Sequence, residues 1–259
     1  MSTTDHALLP AIGLPRRLTT AAARRWLRLR YLLTQRHRYD QLVVEHVHGQ
    51  PFIVLPQVFN PKLFRSGEFL VGVLKPLPAS AGYPLGGGWG GVSGESILDM
   101  GTGSGVGAVF AARRAGRVVA VDINPHAVRC ARINVLLNGV ESTVEVREGD
   151  LFAPVAGEHF DLILFNPPYF RGAPRDPLDH AWRSLDVVER FAAELGDHLT
   201  PSGYALVVLS TDGDTPAFLS AFERNHLDIT VAARTELINE TLTVYQLRPK
   251  GERQDADSL

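Results

Sequence analysis

The sequence predicts an α/β fold, a doubly wound and mostly parallel sheet preceded by a small N-terminal helix and a β-hairpin. Short apolar runs over 96–100, 117–122, 144–148 and 160–165 alternate with helical patterns, the rhythm of strand–helix–strand units. The first run passes directly into the glycine-rich turn Gly101-Thr102-Gly103-Ser104-Gly105 and then into a helix. The last two runs, Leu227 to Ala233 and Thr241 to Arg248, are close enough in sequence to pair antiparallel, which puts one reversed strand near the edge of the sheet.

Taken in order, Leu18, Ala22, Trp26, Leu29 and Leu33 recur at helical spacing, with Arg17, Arg24 and Arg28 on the opposite side. This amphipathic basic helix reads first as one docked on the core with a solvated arginine face; a surface for RNA or a ribosomal particle is the alternative. A hairpin follows, Gln41 to Val47 and Pro51 to Leu55, turned at His48-Gly49-Gln50. His46 and His48 share a face of it without acidic or cysteine partners nearby, so no metal is expected. The Gly- and Pro-rich stretch over 76–94 is a linker. It separates an N-terminal part over 1–75 from a core over 95–248, and a polar tail over 249–259 is expected to be disordered.

Within the core, the helix after the second strand opens at Pro125, places Ala127, Val128, Ala131, Val135 and Leu136 on its apolar side, and ends at Asn138-Gly139. Cys130 in it is a small core residue. Beyond 165 the pattern gives a charged loop over 176–179, a helix over 185–199, a buried strand over 203–210 and a helix over 214–224.

The chemistry concentrates at the strand ends. Asn166-Pro167-Pro168-Tyr169 closes the run 160–165 in a rigid extended turn, because proline has a fixed φ, lacks an N–H and keeps the residue before it out of the helical region. Such a turn offers acceptors. An NH2 group could donate one proton to the Asn166 side-chain oxygen and the other to the Pro167 carbonyl, with Tyr169 packed on the planar group behind the nitrogen. A plain strand-ending turn is the competing reading. The glycine loop fits a dinucleotide fingerprint only in part: Gly101-x-Gly103 would need its third glycine at Val106, while Gly103-x-Gly105 finds Ala108 in the tolerated place. Asp99 discriminates, since a carboxylate there repels a diphosphate and welcomes an ammonium group. Asp122 ends the second strand near the offset at which nucleotide-binding sheets hold a ribose diol. Asp150, at the end of the third, reads as an acceptor for an adenine amino group with Leu151 or Phe152 against the ring, or as a solvated loop acid.

Composition narrows the partners. The 259 residues suffice for one full α/β core with a small appendage, and a net charge of −2 gives no general nucleic-acid signature. A single cysteine fits a reducing compartment. No signal peptide is read at the N-terminus, and no apolar run approaches the roughly 20 residues of a membrane span. The expectation is a cytoplasmic protein with no membrane partner.

Asp99-Met100-Gly101-Thr102-Gly103-Ser104-Gly105, Asp122-Ile123-Asn124-Pro125, Gly149-Asp150-Leu151-Phe152 and Asn166-Pro167-Pro168-Tyr169, in this order and spacing, resemble the class I S-adenosylmethionine-dependent methyltransferases. Within them the chain is similar to the HemK-like family, which methylates glutamine N5 in release factors and some ribosomal proteins. The stretches Pro174 to Trp182 and Glu240 to Tyr245 look most like its archaeal and eukaryotic branch, and the likeness runs from about Val54 to Arg248. The resemblance implies a seven-stranded Rossmann-like sheet and S-adenosylmethionine as cofactor. By it, Asp99, Gly101 and Gly103 hold the methionine part, Asp122 the ribose and Asp150 the adenine. It also implies a protein substrate bearing glutamine. Two departures lie where substrate approaches: Phe59 to Glu68 stands in place of the family's Pro-x-x-Asp/Glu-Thr element, and Phe170-Arg171-Gly172 in place of an apolar–proline pair. Methylation of an exocyclic amino group in RNA or DNA is the alternative function, and a NAD-dependent oxidoreductase a more distant one.

Overall fold

The structure, a computed structural model, describes residues 41–74, 95–175, 178–238 and 240–250. The predicted arginine-rich helix, the linker and the tail beyond Lys250 lie outside them; Pro249, expected to open the disordered tail, instead ends the last strand opposite Leu227, and the Lys250 N–H donates to the His226 carbonyl at 2.8 Å. Strands β1 (Val43–Val47) and β2 (Gln50–Val54) form the expected antiparallel hairpin. Its two-residue turn, His48-Gly49, has φ of 46° and 82°, the left-handed pair whose twist matches that of the flanking strands. Asn60 caps helix α1 (Pro61–Phe64) by accepting from the Lys62 N–H at 2.9 Å, with Pro61 at the first helical position. Arg65, at φ 49°, then turns the chain into α2 (Ser66–Val73).

The core follows as β3 (Ser96–Met100), α3 (Val106–Ala111), β4 (Arg117–Asp122), α4 (Pro125–Leu137), β5 (Val144–Glu148) and β6 (Phe160–Phe165). A short pair, β7 (Phe170–Arg171) and β8 (Arg183–Ser184), precedes α5 (Val187–Glu194), β9 (Leu199–Ser210), α6 (Thr215–Arg224), β10 (Leu227–Glu236) and β11 (Thr241–Pro249). Seven strands make one sheet in the order β10-β11-β9-β6-β3-β4-β5. All neighbours are parallel except β11, which runs against both β10 and β9.

Alternation along the strands builds two cores. Ile97, Val118, Ala120, Leu162 and Leu164 face the side covered by α2, α3 and α4. Leu98, Met100, Val119, Val121 and Ile163 face α5 and α6. Burial on both faces explains why these strands read as continuous apolar runs.

Three asparagines of the α4 region fasten the hairpin and the segment that follows it. Asn134, fully buried, accepts from the Ile53 N–H at 2.7 Å and donates to the Ile53 carbonyl at 2.6 Å and to the Ser104 carbonyl at 2.8 Å. Asn138 donates to the Pro51 carbonyl and Asn124 to that of Gln57. The Cys130 thiol is buried and points at the Ile53 carbonyl, 3.2 Å away.

Several expectations are corrected. Leu136 is exposed, because it lies beyond the buried stripe formed by Ala127, Ala131, Asn134 and Val135. The helix over 185–199 is shorter, α5 giving way to a 3-10 turn over Leu195–His198. β9 begins before 203, at Leu199, and takes in Pro201-Ser202-Gly203 where its register with β6 shifts. At the end of the charged loop Asp179 opens a 3-10 turn and is buried, held by Arg175, whose Nε donates to it at 2.9 Å. That guanidinium keeps its carboxyl below the usual range.

Candidate active site

Parallel registry brings the predicted site residues together. Met100 pairs with Phe165 and with Val121, and Asp122 with Glu148, so the loops following β3, β4, β5 and β6 emerge side by side at one end of the sheet. They surround a cavity of about 340 Å³ lined by Asp99, Gly101, Gly103, Asp122, Asp150, Leu151 and Asn166.

Gly101, Gly103 and Gly105 all take left-handed φ, of 64°, 56° and 82°, which bends the loop tightly over the strand end before α3 begins. The loop is tied down by β4. Thr102 N–H donates to the Val121 carbonyl at 2.9 Å and Gly103 N–H to Asp122 Oδ2 at 2.8 Å, while Asp122 Oδ1 accepts from the Asn124 N–H at 2.9 Å. Asp99 is buried; its Oδ2 accepts from the Thr102 hydroxyl at 2.6 Å and the Ala108 N–H at 2.8 Å.

Burial pushes the Asp99 carboxyl up to about 6, against these two hydrogen bonds, and the charge of Asp122 adds to the rise. Asp122 is raised as well, by burial, against the N–H groups of Asn124 and Gly103. Two carboxylates repelling each other in one cavity form a place that a cationic ligand relieves. The open space beside Gly103, where a Cβ would meet nothing within 4 Å, leaves that loop backbone approachable.

Asp150 meets a partner the sequence did not disclose: Arg190, from α5, donates to its Oδ2 at 2.7 Å, and both line the cavity. Leu151 is buried at φ 45°, an uncommon conformation for its type that turns it into the cavity. Phe152 is not at the site. It is buried in the core, stacked on Phe191 and His198 with ring centroids 5.5 and 4.4 Å apart.

At the Asn-Pro-Pro-Tyr turn, Asn166 and Pro168 line the cavity, with Pro167 buried between them. The Tyr169 hydroxyl donates to Asn166 Oδ1 at 2.9 Å. Burial raises the phenol above its ordinary value. Asn166 Nδ2 in turn donates to Ser66 Oγ at 3.2 Å. Further wall comes from Phe59 and Pro61, in the segment that departs from the family pattern, from Leu70 of α2, and from His180, Arg183 and Leu185 in and around β8, which pairs with β7. Arg190 and Ser66 carry no local signal, because each meets its partner across a long stretch of chain.

The fold and this strand-end site define the class I S-adenosylmethionine-dependent methyltransferases. The chain belongs to the methyltransferase small domain family, whose profile matches residues 52–236. It is 28% identical over 200 residues to a release factor glutamine methyltransferase of Koribacter versatilis, covering 66% of each chain. It is 30% identical over 162 residues to a putative protein N5-glutamine methyltransferase of Methanocaldococcus jannaschii, covering 59% of this chain and 81% of that one. A tRNA1(Val) adenine-N6 methyltransferase of Phocaeicola vulgatus is 34% identical over 143 residues, covering 53% of this chain and 61% of its own. Among solved structures, a T. thermophilus 16S rRNA N2 methyltransferase in complex with AdoMet and guanosine shares the fold with a TM-score of 0.61 at 20% identity, over 81% of this chain and 50% of that one. The chain thus spans about two thirds or less of the length of several relatives. Bacterial and archaeal relatives stand at similar identity and do not single out the archaeal and eukaryotic branch. Family membership displaces the NAD-dependent alternative. No helix among the described residues is long and apolar enough to cross a membrane.

Proposed function

We propose that this chain transfers a methyl group from S-adenosylmethionine to an amide nitrogen, glutamine N5 of a protein such as a release factor. The observation that carries the reading is the placement of Asn166 on the wall of the same cavity as Asp99, the glycine loop and Asp122. When bound, the cofactor supplies a sulfonium-activated methyl group, which needs little help to leave. Asp99, Gly101 and Gly103 are assigned to its methionine part, Asp122 to its ribose, and Asp150 and Leu151 to its adenine.

A carboxamide nitrogen is a poor nucleophile, so orientation is the chain's main contribution. Asn166 Oδ1 has one lone pair engaged by Tyr169 and another to accept a substrate N–H. With the Pro167 carbonyl as second acceptor, the NH2 group is held with its lone pair turned to the methyl group, and the acceptors stabilise positive charge growing on nitrogen. No general base is assigned, since the methylated nitrogen is acidic enough to lose its proton to water.

The second reading, an exocyclic amino group of RNA, is favoured by the adenine-N6 relative and by the arginine-rich N-terminal segment. Mass spectrometry of cell protein and RNA with and without this chain separates the two. Loss of one methyl group from a glutamine supports the first reading. Loss from a base, with every glutamine methylated as before, replaces it with the second.

A further inference from the structure

The carboxamide of Asn166 is held at both ends, and the side chain holding its nitrogen comes from outside the strand-end loops. Nδ2 donates to Ser66 Oγ at 3.2 Å, and Oδ1 accepts from the Tyr169 hydroxyl at 2.9 Å. The carboxamide is thus gripped between two hydroxyls from different elements, a serine at its nitrogen and a tyrosine at its oxygen. Ser66 is fully buried, so water does not compete for its hydroxyl. Its own backbone is fixed by α2, which is anchored through Leu70 and Val71 in the core.

We propose that Ser66 is a positioning residue for methyl transfer: by accepting from Asn166 Nδ2 while Tyr169 donates to Oδ1, it fixes the plane of the Asn166 carboxamide, so that the free lone pair of Oδ1 meets the incoming NH2 group. Tyr169 then acts through its hydroxyl rather than its ring face. The catalytic consequence rests on the acceptor-turn reading given above, whereas the two hydrogen bonds stand on their own geometry. Without Ser66 the terminal torsion of Asn166, broad for an amide, is restrained from one side only.

The test uses the full chain with Ser66→Ala, Ser66→Thr and Tyr169→Phe. The side-chain NH2 resonances of Asn166, assigned by their disappearance in Asn166→Ala, report directly on how the carboxamide is held, through hydrogen exchange. Exchange should be at least roughly tenfold faster in Ser66→Ala and in Tyr169→Phe than in the wild type, and Ser66→Thr should restore protection, as expected for losing one hydrogen bond worth about 1 kcal/mol or more. Affinity for S-adenosylhomocysteine should stay unchanged in all three. On a glutamine-bearing protein acceptor, Ser66→Ala should lower kcat while leaving the KM for cofactor unaltered, and Ser66→Thr should rescue it. Equal exchange in wild type, Ser66→Ala and Tyr169→Phe overturns the proposal. So does a loss of S-adenosylhomocysteine affinity in Ser66→Ala, which would make the serine a wall of the cofactor site instead. If the wild type methylates no glutamine, the functional reading fails, while the exchange arm still decides whether Ser66 and Tyr169 hold the carboxamide.

Discussion

A Cβ on Gly107 would lie 2.2 Å from Asp99 Oδ1, so the glycine in the first turn of α3 is the space into which the buried carboxylate turns. The conformation of Gly107 is helical and would suit any residue; only the closeness of Asp99 forbids a side chain there. Gly107→Ala should cost about 1–3 kcal/mol of stability through overpacking and weaken cofactor binding by displacing Asp99. Thermal unfolding and calorimetry check this, and wild-type values for both would refute the steric account.

Asp99 also makes a pH-dependent prediction. Its carboxyl rises from 3.8 to about 6 on burial, so the folded chain holds this proton more tightly than the unfolded one. The contribution to stability is full below about pH 4 and is lost as pH rises through about 6. Asp99→Asn should therefore be more stable than wild type at pH 8, by on the order of 1–3 kcal/mol, with the gain shrinking toward pH 4. Cofactor affinity should move the other way, weakening in the wild type as pH falls below about 6 and depending less on pH in the variant. A wild-type affinity that is constant between pH 5 and 8 would contradict the role given to the ionised carboxylate.

Asp122→Ala should weaken S-adenosylmethionine binding by about 1.5–3 kcal/mol. The structure adds a second effect, because the same carboxylate accepts from the N–H groups of Gly103 and Asn124. Faster amide exchange at Gly103 should accompany the loss of affinity. Undiminished affinity by calorimetry would remove Asp122 from the site.

Asn166→Ala should bind the cofactor nearly as well as wild type yet lose at least roughly a hundredfold in turnover, since its oxygen acts chiefly when the nitrogen attacks. Single-turnover kinetics on the true acceptor would show this. Near-normal rates there would reduce the Asn-Pro-Pro-Tyr segment to a structural turn.

The sequence disclosed what depends on neighbours along the chain and missed what depends on neighbours in space. The strand ends at Asp99, Asp122, Asp150 and Asn166 were legible because apolar runs stop there in glycine or proline, and parallel pairing then makes their convergence inevitable. The reversed strand β11 was legible from its short separation from β10. Arg190 and Ser66 were not: one sits on a helix face and the other in a short helix of unremarkable pattern, and neither spacing points to its partner. Between Leu151 and Phe152 the sequence could not choose; Leu151 lines the cavity, while the Phe152 ring is paired with Phe191 in the core. The bond from the Tyr169 hydroxyl to Asn166 likewise has no signal in the order of residues.

The hairpin and α2 read in sequence as an appendage, yet Asn134 joins the hairpin to the glycine loop through three hydrogen bonds. Leu70 and Pro61 supply cavity wall, and Ser66 supports the acceptor turn. A fragment beginning at residue 95 would bare an apolar flank of the sheet and take from Asn134 both of its bonds to Ile53, leaving it the Ser104 carbonyl and the Cys130 sulfur. Loss of the hairpin should therefore loosen the glycine loop as well as shorten the chain, an effect felt at the cavity and not only at its rim.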